Sequence, residues 1–409
     1  MLPLHTHATV AGVNNQEVLK ILTLDEARRS TVDPEKCLIW FEKLDNPLPF
    51  TLEEGWRGVV CSDRNTFKLP KDTIVVQNPK IKNVIQPGDV IRVSEGKSLV
   101  SVLYRRGSNS NTLFSTERCN SRCIMCSQPP RDIDDQWRVS EMLEIIPLID
   151  RKEEQLGISG GEPTLLGDDL LAVIVKAKEC LPNSGLHILS NGRRFSDDTF
   201  ARSVCAIKHP DLTWGIPLYS DAPETHDYIV QARGAWDETL DGLYNLAKNN
   251  GSIEIRIVIQ KGNIRRLGEL AYFIFRNLSF VKHVAFMGIE PIGYARGNRD
   301  KLWIDPADCA DFLNDAVFFL SNRGINVSIY NLPLCTLPPD LWPYCRKSIS
   351  DWKNVFLPEC GECKLKLDCC GFFHSIDGPW ISSKTNPILS QEMVELFSRR
   401  EEVNEKALA

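Results

Sequence analysis

Between about residues 112 and 330 the chain alternates short apolar runs with longer stretches of helical periodicity, the pattern of βα units and a parallel sheet. Six runs read as strands, near Thr112 to Thr116, Leu156 to Ser159, Leu186 to Ser190, Leu212 to Leu218, Ile253 to Ile259 and His283 to Ile289. The clearest helix runs from Asp305 to about Asn322: Asp305 can cap its N-terminus, Pro306 suits the first helical position and Gly324 lies just past its end. Six such units are too few for a closed eight-stranded barrel. Ahead of them, Pro-Gly-Asp at 87 to 89, flanked by Val84-Ile and Val90-Ile-Arg-Val, reads as a turn between short strands, and Leu99 to Tyr104 as another strand. With an early helix near Gln16 to Arg29, this predicts a small β-rich domain over 1–110, which could recognise a peptide or cover an open barrel end. His5 and His7 fall in a terminus read as mobile, with no metal role. Beyond Lys384 the tail is polar, helical or frayed.

Composition narrows the class. At 409 residues the chain can hold two or three domains and a sizeable core. A net charge of −6 and a pI near 5.8 give no basic footprint, so no nucleic-acid partner is expected. No secretory signal is evident at the N-terminus, and no apolar stretch approaches the ~18 residues of a membrane span. Fourteen cysteines without an export signal argue for metal or reactive thiols in a reducing cytoplasm rather than for a disulfide framework.

Three of these cysteines, Cys119, Cys123 and Cys126, form a C-x3-C-x2-C run just past the first strand, where active-site loops of parallel barrels sit. A closed zinc site takes four protein ligands and most iron-sulfur clusters take four thiolates, so a [4Fe-4S] cube held by three leaves one iron open. The run resembles the signature of radical S-adenosylmethionine (SAM) enzymes, in which that iron is chelated by the amino and carboxylate groups of SAM. Buried or zinc-binding cysteines are the other reading. The resemblance implies an α/β fold, a partial (β/α)6 TIM-type barrel over 111–330 whose open side admits a large substrate. Where the family usually has an aromatic residue before the third cysteine, this chain has Met125, which could still shield the cluster and face the adenine.

Directly after the second strand stands Ser159-Gly160-Gly161-Glu162-Pro163. Two glycines permit close backbone approach to a ligand, Pro163 stiffens the turn and Glu162 offers an anionic acceptor. Any α/β protein could use this as a tight turn. Placed one unit after the triad, it is similar to the radical SAM Gly-Gly-Glu-Pro motif, which binds the SAM amino group. Ser190 and Asn191 end the third strand, where they could bind the ribose hydroxyls or the methionine part, or form an ordinary Asn-Gly turn. Arg256 is a charged residue in an apolar strand, placed either to meet the SAM carboxylate or to face outward. The run from Gly288 to Ala295 resembles the late-strand motif beside the adenine, although Glu290 could contact substrate instead. Chemistry of this class begins with an electron delivered to the cube, cleavage of SAM and hydrogen abstraction from carbon. It needs no general base or nucleophile to begin, so no catalytic side chain is assigned.

A second group of cysteines follows. Cys360, Cys363 and Cys369 form C-x2-C-x5-C, preceded by Cys335 and Cys345, enough thiolates for a zinc ion or a second [4Fe-4S] cluster. The run resembles the auxiliary-cluster (SPASM and twitch-type) extensions of peptide-modifying radical SAM enzymes, which implies one auxiliary cluster over 331–383, with zinc the alternative. Cys335 is favoured over Cys345 as fourth ligand, Cys370 is left out, and Cys37, Cys61, Cys180, Cys205 and Cys309 read as core residues. The run from Leu113 to Arg131, the β-rich leader with its Pro-Gly-Asp and the segment 348–354 resemble the HxsC maturases of the His-Xaa-Ser system. That resemblance implies a peptide or small-protein substrate with His-Xaa-Ser repeats, a flavodoxin- or ferredoxin-type electron donor and a second radical SAM maturase as partner. Two alternatives stay open: an enzyme acting on a small molecule or tRNA, and a non-catalytic Fe-S scaffold.

Overall fold

The computed structural model describes residues 4–44, 55–64, 72–351, 353–395 and 397. Its first sheet comprises β1 (His5–His7), β2 (Thr9–Ala11), β3 (Gln16–Leu22), β4 (Cys37–Leu44), β5 (Gly58–Arg64), β6 (Ile74–Gln77), β7 (Val90–Ser94) and β8 (Leu99–Tyr104), in the order β1-β8-β7-β3-β4-β5-β6-β2. Only Ala8 separates the two end strands, so one bent N-terminal segment pairs with both edges and closes the sheet into a small barrel. Closure removes the exposed backbone of an open edge. His5 and His7, read as part of a mobile terminus, are ladder residues opposite Ser101 and Leu99. The expected helix over Gln16 to Arg29 is confined to Leu24–Arg29, where Thr23 and Glu26 make a reciprocal capping box. Residues 16–22 form a central strand instead. Pairing with β4 and β7 buries five consecutive residues from Val18, a continuous run that a helix would expose on one side. Of the strands expected around Pro-Gly-Asp only β7 forms, because Ile81–Asn83 is a 3-10 turn.

The second sheet is parallel throughout and contains all six expected strands: β9 (Thr112–Phe114), β10 (Gln155–Ser159), β11 (Gly185–Leu189), β12 (Leu212–Pro217), β13 (Ser252–Val258) and β14 (His283–Met287). Two more, β15 (Asn326–Tyr330) and β16 (Cys345–Arg346), extend it in strict sequence order. Among the described residues β9 and β16 pair with no strand on their outer sides, so the α/β barrel is open. The expected cap at Asp305 is present, its carboxylate accepting from the Ala307 amide at 3.0 Å ahead of the helix Pro306–Ser321. One set of alternate strand residues, including Ile158, Ile188, Trp214, Ile255 and Phe286, is buried under the connecting helices. The other set, which includes His187, Glu254, Arg256, His283, Ser328 and Tyr330, makes the concave face polar.

The two units pack together. Lys20, 3% exposed, donates to the Leu148 carbonyl at 2.7 Å and pairs with Asp150, while Arg92 reaches Glu141 at 2.7 Å. Of the polar tail, residues 391–395 are helical, and 396 and 398–409 lie outside the described residues, as does Trp352 in the 348–354 segment. No helix among the described residues is long and apolar enough to cross a membrane.

Candidate radical SAM site

The residues singled out at the ends of β9, β10 and β11 meet at one mouth of the parallel sheet. Cys119, Cys123 and Cys126 lie on a loop braced by backbone bonds at its middle: the Arg122 amide donates to the Val230 carbonyl (3.0 Å) and the Ile124 amide to the Ile229 carbonyl (2.9 Å). Its far end is held by the segment after β14, where the Tyr294 amide donates to the Cys126 carbonyl (2.8 Å) and the Asn298 side chain to the Ile124 carbonyl (3.0 Å). Gly293, at φ +62°, is required here, since a Cβ would lie 2.5 Å from the carbonyl oxygens of Cys126 and Ser127. The loop's root is fixed by Asp135, 1% exposed, which accepts from Thr116 Oγ1 at 3.0 Å and the Glu117 amide at 2.6 Å.

Gly160 and Gly161 allow a close approach, but to the chain itself. A Cβ on Gly161 would stand 2.1 Å from the Arg118 carbonyl oxygen, and the amides of Gly161 and Glu162 donate to the carbonyls of Thr116 and Arg118 at 2.6 and 2.8 Å. The glycines thus press the second motif flat against the loop segment between β9 and Cys119. Pro163 starts the 3-10 turn that follows. The Glu162 carboxylate is fully buried and accepts from the Thr164 amide (3.0 Å), Thr164 Oγ1 (2.6 Å), Ser190 Oγ (2.8 Å) and the Asn191 amide (2.6 Å). Burial raises its pKa against the pull of those four donors. Glu162 therefore ties the second motif to the third, and the Asn191 side chain in turn reaches Asn120 Oδ1 at 2.6 Å and comes to 4.0 Å from Cys119 Sγ.

Met125, 7% exposed, sits in an apolar cluster with Tyr219, Ile229, Ala295 and Trp380. Tyr219 is held from below by its amide, which donates to His226 Nδ1 at 3.2 Å. His226 is 1% exposed, and burial pushes its pKa from 6.5 down to about 4. The unfolded chain takes up this proton near pH 6.5 and the folded chain only near 4, so acidification across that window destabilises the fold by up to about 3 kcal/mol. His226→Gln, which keeps an acceptor, is expected to flatten the urea-midpoint profile between pH 6.5 and 4; an unchanged slope would assign the effect to another group.

The donor set suits an iron-sulfur cube. Burial pushes the Cys119 and Cys123 thiols up to about 11 and 12, so they become thiolates only against a cation, and the Ser121 amide already donates to Cys119 Sγ at 3.4 Å. Arg193 approaches the same loop, donating to the Asn120 carbonyl at 2.5 Å and Ser121 Oγ at 3.1 Å. On the concave face Arg256 pairs with Glu254 at 2.5 Å, and Glu254 also accepts from His283 Nδ1 at 2.8 Å and lies 3.5 Å from His187 Nε2. Burial works against the charge on Glu254, yet the His187 and His283 contacts and the Arg256 charge outweigh it and hold the carboxyl well below its usual range. Asp135, Arg193, Tyr219, His187, Glu254 and His283 were not singled out from the sequence. For Arg193, Tyr219, His187, Glu254 and His283 the only local sign was a polar residue in or shortly after a strand, and Asp135, in the loop between β9 and β10, had none.

The C-terminal cysteines separate into two groups. Cys335, Cys360, Cys363 and Cys369 line one cavity. Amides aim at the sulfurs there, from Ile388 to Cys363 and from Gly371 to Cys369, both at 3.4 Å. The neighbouring Cys370 thiol and the backbone amides of Gly371 and Leu334 outweigh burial and bring Cys369 down to about 6. Cys345 and Cys370 are not on that wall; their thiols donate to the carbonyls of Leu341 and Gly371. Of the single cysteines, Cys37, Cys61 and Cys309 are buried and Cys180 and Cys205 half-buried.

Together the open parallel barrel and its cysteine loop define a radical SAM fold. Residues 113–271 match the family model described as the Radical SAM superfamily, so this part of the chain is a radical SAM domain. Among curated proteins the chain is similar to Fe-coproporphyrin III synthase of Methanosarcina barkeri, 27% identical over 190 residues (44% of this chain, 45% of that protein). It is also similar to GTP 3',8-cyclase of Limosilactobacillus fermentum, 30% identical over 203 residues (46% of this chain, 57% of that protein). The chain thus spans about half the length of these relatives. Among solved structures, native anSMEcpe with bound AdoMet and Cp18Cys peptide gives a TM-score of 0.49 at 14% identity, covering 72% of this chain and 98% of that one. Streptococcus suis SuiB bound to S-adenosylmethionine gives 0.42 at 17% identity, covering 53% and 49%.

Proposed function

We propose that this protein is a radical SAM maturase that modifies a peptide or small protein, with a His-Xaa-Ser repeat protein as its substrate. The observation that carries the reading is the convergence of the three-cysteine loop, the Gly-Gly-Glu-Pro turn and Ser190-Asn191 at one barrel mouth, tied together through the buried Glu162. In this reading Cys119, Cys123 and Cys126 hold a [4Fe-4S] cluster whose fourth iron takes SAM. When bound, the cluster would pass one electron from an external donor to SAM, which would give methionine and a 5'-deoxyadenosyl radical, the agent of hydrogen abstraction. The chain's own residues position and seal. Glu162 sets Ser190 and Asn191 beside Cys119, Met125 and Tyr219 make the site apolar and exclude water, and Glu254 orients Arg256 toward the SAM carboxylate.

Cys335, Cys360, Cys363 and Cys369 are read as ligands of an auxiliary [4Fe-4S] cluster. Zinc is the alternative occupant; the amides aimed at Cys363 and Cys369 would stabilise thiolates for either. The reading places the protein in the cytoplasm with a flavodoxin- or ferredoxin-type donor and a second maturase as partner. A small-molecule substrate is the second reading, favoured by the names of the curated relatives, which make a porphyrin and a cyclised nucleotide.

The test is anaerobic incubation of reconstituted protein with SAM and dithionite. Release of 5'-deoxyadenosine by the wild type, and none after Cys119, Cys123 and Cys126 are changed to alanine, is expected. A fully loaded chain that releases none would make the protein a scaffold.

A further inference from the structure

A groove runs along the open side of the barrel, from Val102 and Leu103 of the N-terminal unit to Ser127 and Gln128 beside Cys126. Its far wall includes Ser350 and Lys353, just past the other edge of the sheet, and its floor includes Ser159 and Leu189 of the concave face. It is therefore continuous with the barrel mouth.

All three residues of β9 line this groove. In a parallel ladder, alternate residues give both backbone groups to one neighbour. The bonds from the Gly157 amide to the Asn111 carbonyl (2.8 Å) and from the Ser115 amide to the Ser159 carbonyl (2.7 Å) set the phase: residues 111, 113 and 115 face β10. The amides and carbonyls of Thr112 and Phe114 consequently face the groove, with no strand beside them among the described residues. Unpaired edge groups beside a long groove are the template for strand addition. Among the described residues the N-terminal sheet offers no such edge, because it is closed.

The charged side chains that line the groove are mostly cations: Arg92, Arg105, Arg138 and Lys353 stand against Glu141 alone. Arg92 pairs with Glu141, and the other three pair with Asp89, Glu117, Asp135 and Glu290, which are not on its wall.

We propose that the free edge of β9 takes an extended, acidic segment of the substrate polypeptide as an added strand and that the groove leads the chain on to the Cys126 loop. This rests on the peptide-modifying reading above and names how the substrate is held. Backbone pairing through Thr112 and Phe114 accepts many sequences, and the cationic walls select those carrying carboxylates.

The test uses the full chain without SAM and a fluorescein-labelled peptide, (Glu-Thr)6, followed by fluorescence anisotropy. Saturable binding is expected, with slower hydrogen exchange over residues 112–114. Thr112→Pro removes a groove-facing amide while sparing the bonds to β10, and proline is tolerated at such an edge. It should weaken binding about tenfold, the worth of one amide hydrogen bond, whereas Thr112→Val, which keeps the amide, should stay within about twofold. Should Thr112→Pro fail to fold, the same peptide N-methylated at every amide tests the pairing on wild-type protein and should bind about tenfold or more weakly. A (Lys-Thr)6 peptide should bind more weakly than its acidic counterpart. The proposal is overturned by no saturable binding below about 1 mM, by equal affinity for the N-methylated peptide, by Thr112→Pro folding and binding like Thr112→Val, or by equal affinity for the lysine peptide. None of these readouts needs SAM cleavage, so release of 5'-deoxyadenosine judges the enzymatic reading separately.

Discussion

Reconstituted anaerobically with iron and sulfide, the wild-type chain should hold about eight irons, and the variant with Cys119, Cys123 and Cys126 changed to alanine about four. The expectation follows from two separate sets of thiols: one on the loop after β9, the other around the cavity lined by Cys335, Cys360, Cys363 and Cys369. Loss of the first set leaves the second intact, because none of the residues bracing the triad loop belongs to the second cavity. Single substitutions separate the candidate fourth ligands. Cys335→Ser leaves the auxiliary cube on three thiolates with one iron open, so that cluster should be labile to a chelator and the count should fall below eight after chelator treatment, while Cys345→Ser should leave about eight. A wild type with about four irons plus one zinc would make the C-terminal site structural. Equal losses in Cys335→Ser and Cys345→Ser would show that the cavity wall does not define the ligand set.

Glu254→Ala is expected to destabilise the fold by about 3–5 kcal/mol, the cost of breaking a buried ion pair from one side. Its carboxylate, 9% exposed, is the common partner of Arg256, His187 and His283 on the concave face. Alanine leaves the Arg256 cation and two imidazoles without that acceptor. Glu254→Gln, which keeps one acceptor oxygen, should cost less than alanine. Because the carboxyl is held below its usual value of 4.5, this stabilisation is fully present above pH 4.5 and fades as pH falls below it. The difference between wild type and Glu254→Ala in urea unfolding should therefore be full at pH 7 and shrink in acid. A difference under about 1 kcal/mol at pH 7 would show that the network is solvated and replaceable.

Much of the site was legible because it is local. Cysteine spacing within one loop, Gly-Gly-Glu-Pro after a strand and Asp305-Pro306 ahead of a helix are each written within a few residues. Helix caps, turns and chelating loops are decided at that range. The six expected strands stand where their apolar runs are, since alternate residues of each run are buried under the connecting helices. The same composition misled at Gln16 to Leu22, where a run that suits either a helix or a central strand was settled by the partners β4 and β7 on either side of it.

What the chain by itself determined is thus the class of chemistry and the order of βα units, because both rest on residue types at short spacing. Only the tertiary structure decided that Gly160 and Gly161 press on the cysteine loop's own backbone, and that Glu162 is spent on Ser190 and Asn191. The same holds for Cys335 sharing a wall with Cys360, Cys363 and Cys369, and for β9 turning an unpaired edge to a groove. Each is a contact between segments far apart in sequence. Sheet register and domain packing set such contacts, and no local pattern of residues encodes them.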